Sequence, residues 1–170
     1  MIKIINIKSD NALEQLTQFK NKKYAMCDVR FDNTSLRTVN ELIGYTLFFK
    51  NDLFANSDTL WSLMQEDDGK DSHNHHGLTP EDILDALNNI QDPYCIFISK
   101  FERVAIIVSC LSHYGEPLMA IIEVGTGLIE DDDANINKLI TMYPYGKVEK
   151  MINKLKTEEI LYLNKITIKK

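Results

Sequence analysis

His73-Asn74-His75-His76-Gly77-Leu78-Thr79-Pro80-Glu81-Asp82, followed by an apolar-striped run that stops at Asp92-Pro93, divides this chain into two differently patterned parts. Three of the four histidines stand there, just ahead of the strongest helix start in the sequence. Thr79 is a capping residue. Pro80 suits the first helical position, where its missing N–H has no helical partner anyway, and Glu81 and Asp82 favour the positive end of the helix dipole. Leu78 and Ile83 are spaced for a hydrophobic staple across the cap. Ile83, Leu84, Leu87 and Ile90 then fall on one face of about three turns, which predicts a helix from Pro80 to Gln91 with that face packed inward. The imidazoles are thus delivered to the rim of a packed core at a helix N-terminus. That position serves proton transfer or anion binding as well as it serves an ordinary polar loop.

After Pro93 the period changes from helical to alternating. Tyr94 to Ser99, Val104 to Cys110, Leu118 to Val124 and Ile136 to Tyr143 are β-rich runs, and the connections after the first two are short turns. Such connections join antiparallel neighbours, because parallel strands need a long crossover. Val148, Met151, Ile152 and Leu155 mark a short helix, and Ile160 to Leu163 a last strand before a basic tail. Ahead of the histidines the boundaries are softer. Ile2 to Ile7 reads as a strand, and Ser9 opens a helix carrying Leu13, Leu16 and Phe19 that ends in Lys20-Asn21-Lys22-Lys23. Tyr24 to Phe31 reads as a second strand. Asp32 to Ser35 open a helix with Leu36, Val39, Leu42 and Ile43 on one side. Tyr45 to Phe49 fits a strand or a helix end, and Asn56 to Asp58 open a short helix through Leu60, Trp61 and Met64. The expected fold is α+β: helices packed on a four-stranded antiparallel sheet (residues 49–170), preceded by an N-terminal α/β elaboration (residues 1–48).

Composition narrows the function classes. A chain of 170 residues, 44% apolar, buries a sizeable core and most simply makes one domain with an N-terminal appendage. Cys27, Cys95 and Cys110 are widely spaced, odd in number and set among apolar residues, so they read as buried thiols of a reducing cytosol. The start MIKIINIKSD lacks signal-peptide anatomy and no apolar run reaches membrane-spanning length, so the expectation is a cytoplasmic protein without a membrane partner. A net charge of −6 argues against broad attraction to nucleic acid, while leaving room for a small basic cleft on an acidic body.

Several motifs have bland readings that outweigh the chemical ones. His73-x-His75-His76 resembles a fragment of a metal site, but no Cys or acidic partner stands at ligand spacing, and no metal or other cofactor is expected. Asp131 to Asp133 lack the alternating ligands, central Gly and terminal Glu of a calcium loop. Gly125-Thr126-Gly127 lacks the Lys-Ser/Thr of a phosphate loop and reads as a bulge or strand-end turn. Cys27 has no histidine at readable distance. Trp61, at helical spacing from Leu60 and Met64, reads as core.

The order and spacing of four features carry a family resemblance. His76-Gly77-Leu78-Thr79-Pro80-Glu81-Asp82-Ile83, the Asp92-Pro93-Tyr94 stop, the Gly115-Glu116-Pro117 turn between strands, and Asn137-x-x-x-Thr141-x-Tyr143 together resemble the toxin-like domain at the C-terminus of phage Mu-type head morphogenesis (MuF) proteins. That domain is similar to the phage members of the barnase, EndoU, colicin and RelE-like nuclease group. The similarity spans roughly residues 50 to 165. It implies helices on a four-stranded antiparallel sheet and, for the wider group, metal-independent RNA cleavage. It places the family's helix-start histidine at His76 and its late Ser/Thr and Tyr at Thr141 and Tyr143. The departures from the family are expected in the setting, with no head-protein portion read in these 170 residues, and in the acidic charge, unlike most ribonucleases.

Two function classes follow. The first is a phage- or mobile-element-associated endoribonuclease toxin. His76 would be the base for a 2′-OH, because imidazole titrates near neutrality, and the helix behind it helps hold phosphate at its N-terminus. Thr141 and Tyr143, two apart on a strand, share a face and would donate to phosphate oxygens. His75, Lys100, Arg103 and Lys147 would bind the RNA substrate. The second class is a catalytically inactive phage-derived protein that binds and modulates a host protein, with Glu130 to Asp133 as its acidic patch. Both call for a protein partner, whether an immunity protein, a delivery protein or a host target.

Overall fold

The computed structural model describes residues 3–66 and 75–164, apart from the side chain of Asn33. His73 and Asn74, and with them one third of the histidine cluster, lie outside the described residues. The described elements run in the order β1 (Ile4–Ile7), α1 (Ala12–Asn21), β2 (Asp28–Ser35), α2 (Arg37–Ile43), β3 (Asp52–Asn56), α3 (Ser57–Leu63), α4 (Pro80–Asn88), β4 (Pro93–Ile98), β5 (Val104–Leu111), β6 (Pro117–Leu128), β7 (Asp131–Pro144), α5 (Val148–Lys154) and β8 (Ile160–Leu163). The fold is α+β and built on one large open sheet, with strand order β1-β2-β3-β7-β6-β5-β4-β8.

A sheet of four antiparallel strands is therefore too small a description. The strands β4 to β7 do pair antiparallel with one another, but the sheet is mixed and eight-stranded among the described residues. The backbone groups along the outer edges of β4 and β7 explain the extension, since an unpaired edge presents a row of free N–H and C=O groups. Leu163, Tyr162 and Ile160 of β8 pair antiparallel with Cys95, Ile96 and Phe97 of β4. On the other side Leu53, Phe54 and Ala55 of β3 pair parallel with Asn137, Lys138 and Leu139 of β7. The short strand β3 escapes periodicity, because only Leu53-Phe54-Ala55 between polar neighbours marks it. It carries β2 and then β1 into the same sheet, the latter parallel to β2 through the α1 crossover.

The sheet buries both faces. On one side α1 to α4 pack over Val29, Phe31, Leu53, Ile96, Ile106, Ala120 and Leu139. Ile83, Leu87 and Ile90 are each at most 1% exposed, and Leu84 packs beside them. Leu78 joins the same cluster, as the staple requires. In α1 the inward face is Ala12, Leu16 and Phe19, whereas Leu13 is 41% exposed, one position off the expected stripe. On the other side α5 lays Val148, Met151, Ile152 and Leu155 on Cys95, Phe97, Ile107, Met119 and Ile121. The β6–β7 hairpin is longer than the apolar pattern implies, pairing Leu128 with Asp131 across Ile129 and Glu130. Gly125, at φ +68°, lies where the pairing shifts register between Glu123 and Thr126, so the glycines mark an irregularity inside β6.

One bulge decides which face the end of β7 presents. Ile121 pairs with Thr141 and Ile122 with Leu139, which leaves Ile140 as an extra residue. Before it Leu139 points to the α1–α4 layer; after it Met142 does, three positions on. Thr141 and Tyr143, opposite Ile121 and Met119, are thereby turned to the face that carries α5.

Candidate functional site

The helix α4 starts as its sequence predicts. The Asp82 N–H donates to Thr79 Oγ1 (3.0 Å) and the Thr79 N–H donates to Asp82 Oδ2 (3.0 Å), a reciprocal capping box with Pro80 in the first turn. Just ahead of it the chain turns through Gly77 at φ +60°, a backbone conformation that suits glycine. The Gly77 N–H donates to the Gln65 carbonyl (2.7 Å) and the Leu78 N–H to the Leu63 carbonyl (3.0 Å), so the end of α3 anchors this turn.

The anchored turn brings His76 to the end of β7. Thr141 Oγ1 lies 3.3 Å from His76 Nε2, and the His76 and Tyr143 rings are 5.6 Å apart. Residues separated by 65 positions in the chain are thus in side-chain contact. A threonine hydroxyl both donates and accepts, so it serves either imidazole tautomer. The Tyr143 hydroxyl is directed elsewhere, donating to Met119 Sδ (3.2 Å), while its ring faces His76 and, at 6.3 Å, Tyr145. Burial, and secondarily Tyr145, raise the Tyr143 phenol above its ordinary range. It is a neutral hydrogen-bond donor at physiological pH.

The other expected binding residues are dispersed. His75 meets the half-buried Trp61 edge-on at 5.7 Å. Lys147 is exposed at the start of α5 and lines a cleft of about 800 Å³ with Glu116, Pro117, Gly146, Lys150 and Asn153. The Tyr145 N–H donates to the Pro117 carbonyl (2.8 Å), and Leu118 pairs with Pro144, which puts this cleft at the same end of the sheet as Tyr143. Lys100 and Arg103 stand elsewhere. They occupy the β4–β5 turn beside Val104, which lies opposite Ile122, while Tyr143 lies opposite Met119 one strand further over. At about 3.3 Å per residue and 4.8 Å per strand, that separation exceeds roughly 10 Å. Arg103 is occupied there by Glu123 (3.6 Å) and stacks over Phe101 at 5.8 Å.

Three participants were not singled out by sequence patterns. His113, the fourth histidine, donates its backbone N–H to Asp82 Oδ1 (2.8 Å) and bonds Asp82 Oδ2 through its ring Nδ1. Asp82 is only 5% exposed. Burial alone would raise its pKa, but the Thr79 N–H and the two His113 groups outweigh burial and hold it below its ordinary value. Tyr114 donates its hydroxyl to the Gly77 carbonyl (3.1 Å). Lys23 Nζ sits 4.9 Å over the Trp61 ring, so the basic end of α1 comes close to His75 through that indole. Local patterning carries no sign of these contacts, since His113 and Tyr114 read simply as turn residues.

Among the described residues no three His, Cys, Asp or Glu side chains converge in a metal-binding cluster. The Cys95 and Cys110 thiols are each pushed up to about 11, by burial alone for Cys95 and by burial followed by Asp85 for Cys110. At neutral pH both are protonated and poor nucleophiles. No helix among the described residues is long and apolar enough to cross a membrane.

Residues 67–170, more than half of the chain, match the family model described as the phage MuF C-terminal domain. No curated protein and no solved structure matches.

Proposed function

Since the chain belongs to the phage MuF C-terminal domain family, we propose that it is a phage-associated toxin-like domain that cleaves RNA without a metal, with His76 at its centre. The observation that supports this reading most is the contact of His76 Nε2 with Thr141 Oγ1 at 3.3 Å beside the Tyr143 ring. Transesterification of RNA needs a base for the 2′-OH, a proton for the leaving oxygen and donors for the phosphate. His76 accepts the 2′-OH proton as that oxygen bonds to phosphorus. The P–O5′ bond breaks and the departing oxygen takes a proton from the His76 imidazolium or from water that the imidazolium then re-protonates, giving a 2′,3′-cyclic phosphate, a 5′-hydroxyl and a neutral His76. Thr141 hydrogen-bonds the phosphate or orients the imidazole. Tyr143 supplies a ring wall and, if its hydroxyl leaves Met119, a further donor.

The binding surface in this reading differs from a plain basic groove. Lys147 and Lys150 border the cleft at the same end of the sheet as Tyr143, and Lys23 with Trp61 offers a charged and aromatic group beside His75, the neighbour of His76. A few cations beside aromatic rings suit a short unpaired segment, in which bases stack and few phosphates are neutralised. An active toxin also needs a neutralising or delivery protein, and co-purification from the native host tests for one.

Incubation of the purified chain with total RNA, with and without chelator, tests the activity. Cleavage that survives chelation and falls roughly a hundredfold or more in His76→Ala is the expected result, the size of a lost acid–base group. RNA left intact by the wild-type chain, or cut equally by His76→Ala, overturns the reading.

A further inference from the structure

The turn that delivers His76 is held from two sides. Gln65 and Leu63 carbonyls take the Gly77 and Leu78 N–H groups, and from the opposite side Tyr114 Oη donates to the Gly77 carbonyl at 3.1 Å. The approach is close enough that a Cβ at Gly77 would lie 2.5 Å from Tyr114 Oη. Tyr114 in turn rests against the His113 ring, with centroids 3.9 Å apart and planes inclined by 39°. His113 is pinned by Asp82 through its backbone N–H and its ring Nδ1, and Asp82 closes the circuit by accepting from the Thr79 N–H at 3.0 Å. Every link from Thr79 through Asp82, His113 and Tyr114 back to Gly77 is a direct contact.

This circuit contributes direction more than burial. Tyr114 is 53% exposed and the His113 side chain 42% exposed, so neither fills the core. What the Tyr114 bond orients is the Gly77–Leu78 peptide, while Gln65 holds the N–H of the preceding His76–Gly77 peptide, so the two bonds together fix the turn at Gly77 from which His76 projects. A carboxylate only accepts, so the bond to Asp82 places a proton on His113 Nδ1.

We propose that Asp82, His113 and Tyr114 are positioning residues for His76, setting the reach and tautomer with which its imidazole meets Thr141 and the substrate. The proposal deepens the ribonuclease reading and depends on it only for its kinetic consequence. Tyr114→Phe deletes a single hydroxyl and keeps the ring, and His113→Phe keeps an aromatic face against Tyr114 while removing the bond from Nδ1. Long-range ¹H–¹⁵N spectra of the His76 imidazole across a pH titration report its tautomer and midpoint directly. Initial rates on a short unpaired RNA and thermal melting are measured on the same samples.

Both variants are expected to move the His76 ring resonances and titration midpoint. They should also lower kcat by roughly ten- to hundredfold, as a misplacement of about 1 Å does. KM should stay within about twofold, because the loss is one of reacting geometry and not of binding. Tyr45→Phe, at an exposed tyrosine outside the circuit, should change none of these. Unmoved His76 resonances in both variants, or a rate loss that only follows the folded fraction, overturns the proposal. Absence of RNA cleavage by the wild-type chain overturns the ribonuclease reading alone. The imidazole spectra then still decide: a shifted ring sustains the positioning role and an unshifted one ends it.

Discussion

Lys138 Nζ lies 2.9 Å from Asp28 Oδ1, an ion pair that reaches from β7 to β2 over the intervening strand β3. Asp28 is 1% exposed and Lys138 8%, and the other Asp28 oxygen accepts the Ile129 N–H at 2.7 Å. Asp28 thus ties both the middle of β7, through Lys138, and the tip of the β6–β7 hairpin, through Ile129, to the N-terminal strands. Removing one partner leaves a buried charge without its counter-charge. Lys138→Met should therefore cost about 3–5 kcal/mol in urea unfolding, and adding Asp28→Asn in the same chain should recover a large part of that loss. Additive losses in the double variant would show that the two groups are not coupled.

Asp82 makes stability depend on acid. Its carboxyl is held below its ordinary value of 3.8, so the folded state favours the charged form. For a depressed carboxylate, the stabilisation is fully present above the unfolded pKa and is lost as pH falls through the folded one. Asp82→Asn should cost about 2 kcal/mol near neutrality, the scale of a lost cap with charge-assisted bonds. The gap between wild type and variant should hold steady down to about pH 4 and close below it. Chemical denaturation at a series of pH values reads this directly, and a gap that widened in acid would contradict the assignment.

Gly77→Ala tests the turn by steric means. The residue would have to adopt φ +60° and would meet Tyr114 Oη. A loss of about 1–2 kcal/mol is expected from the left-handed conformation alone. In Tyr114→Phe that steric contact is relieved while the backbone strain remains, so Gly77→Ala should cost less in that background than in wild type. Equal costs in the two backgrounds would mean that the tyrosine hydroxyl does not press on position 77.

The thiols should be unreactive in the folded protein. With pKa values of about 11, Cys95 and Cys110 are thiolate to the extent of about one part in a thousand at pH 8. Alkylation by iodoacetamide, followed by peptide mass spectrometry, should label them only after denaturant is added. Rapid labelling of Cys110 in native buffer would indicate a more open β5 end than the structure has.

The helix α4 was legible residue by residue because its signals are local. Leu78, Thr79, Pro80 and Asp82 act on neighbours within one turn, and a 3.6-residue period places Ile83, Leu87 and Ile90 without reference to the rest of the chain. The runs of β4 to β7 were legible for a similar reason, since alternation and short turns restrict which strands can be neighbours. The strand β3 was not. Its five residues acquire strand geometry by pairing with β2 and β7, and nothing within Asp52–Asn56 encodes those partners.

The candidate site divides along the same line. The residue types at His76, Thr141 and Tyr143, and the shared face of the last two, followed from order and spacing in the chain. Which face that is depended on the bulge at Ile140, because one extra residue exchanges the two sides of a strand. Three-dimensional packing alone brought His76 to Thr141, engaged Asp82 with His113, set Tyr114 against Gly77, and kept Lys100 and Arg103 away. Contacts across 31 to 65 residues depend on strand register and on the anchoring of a loop, and these arise from the whole sheet closing around its core.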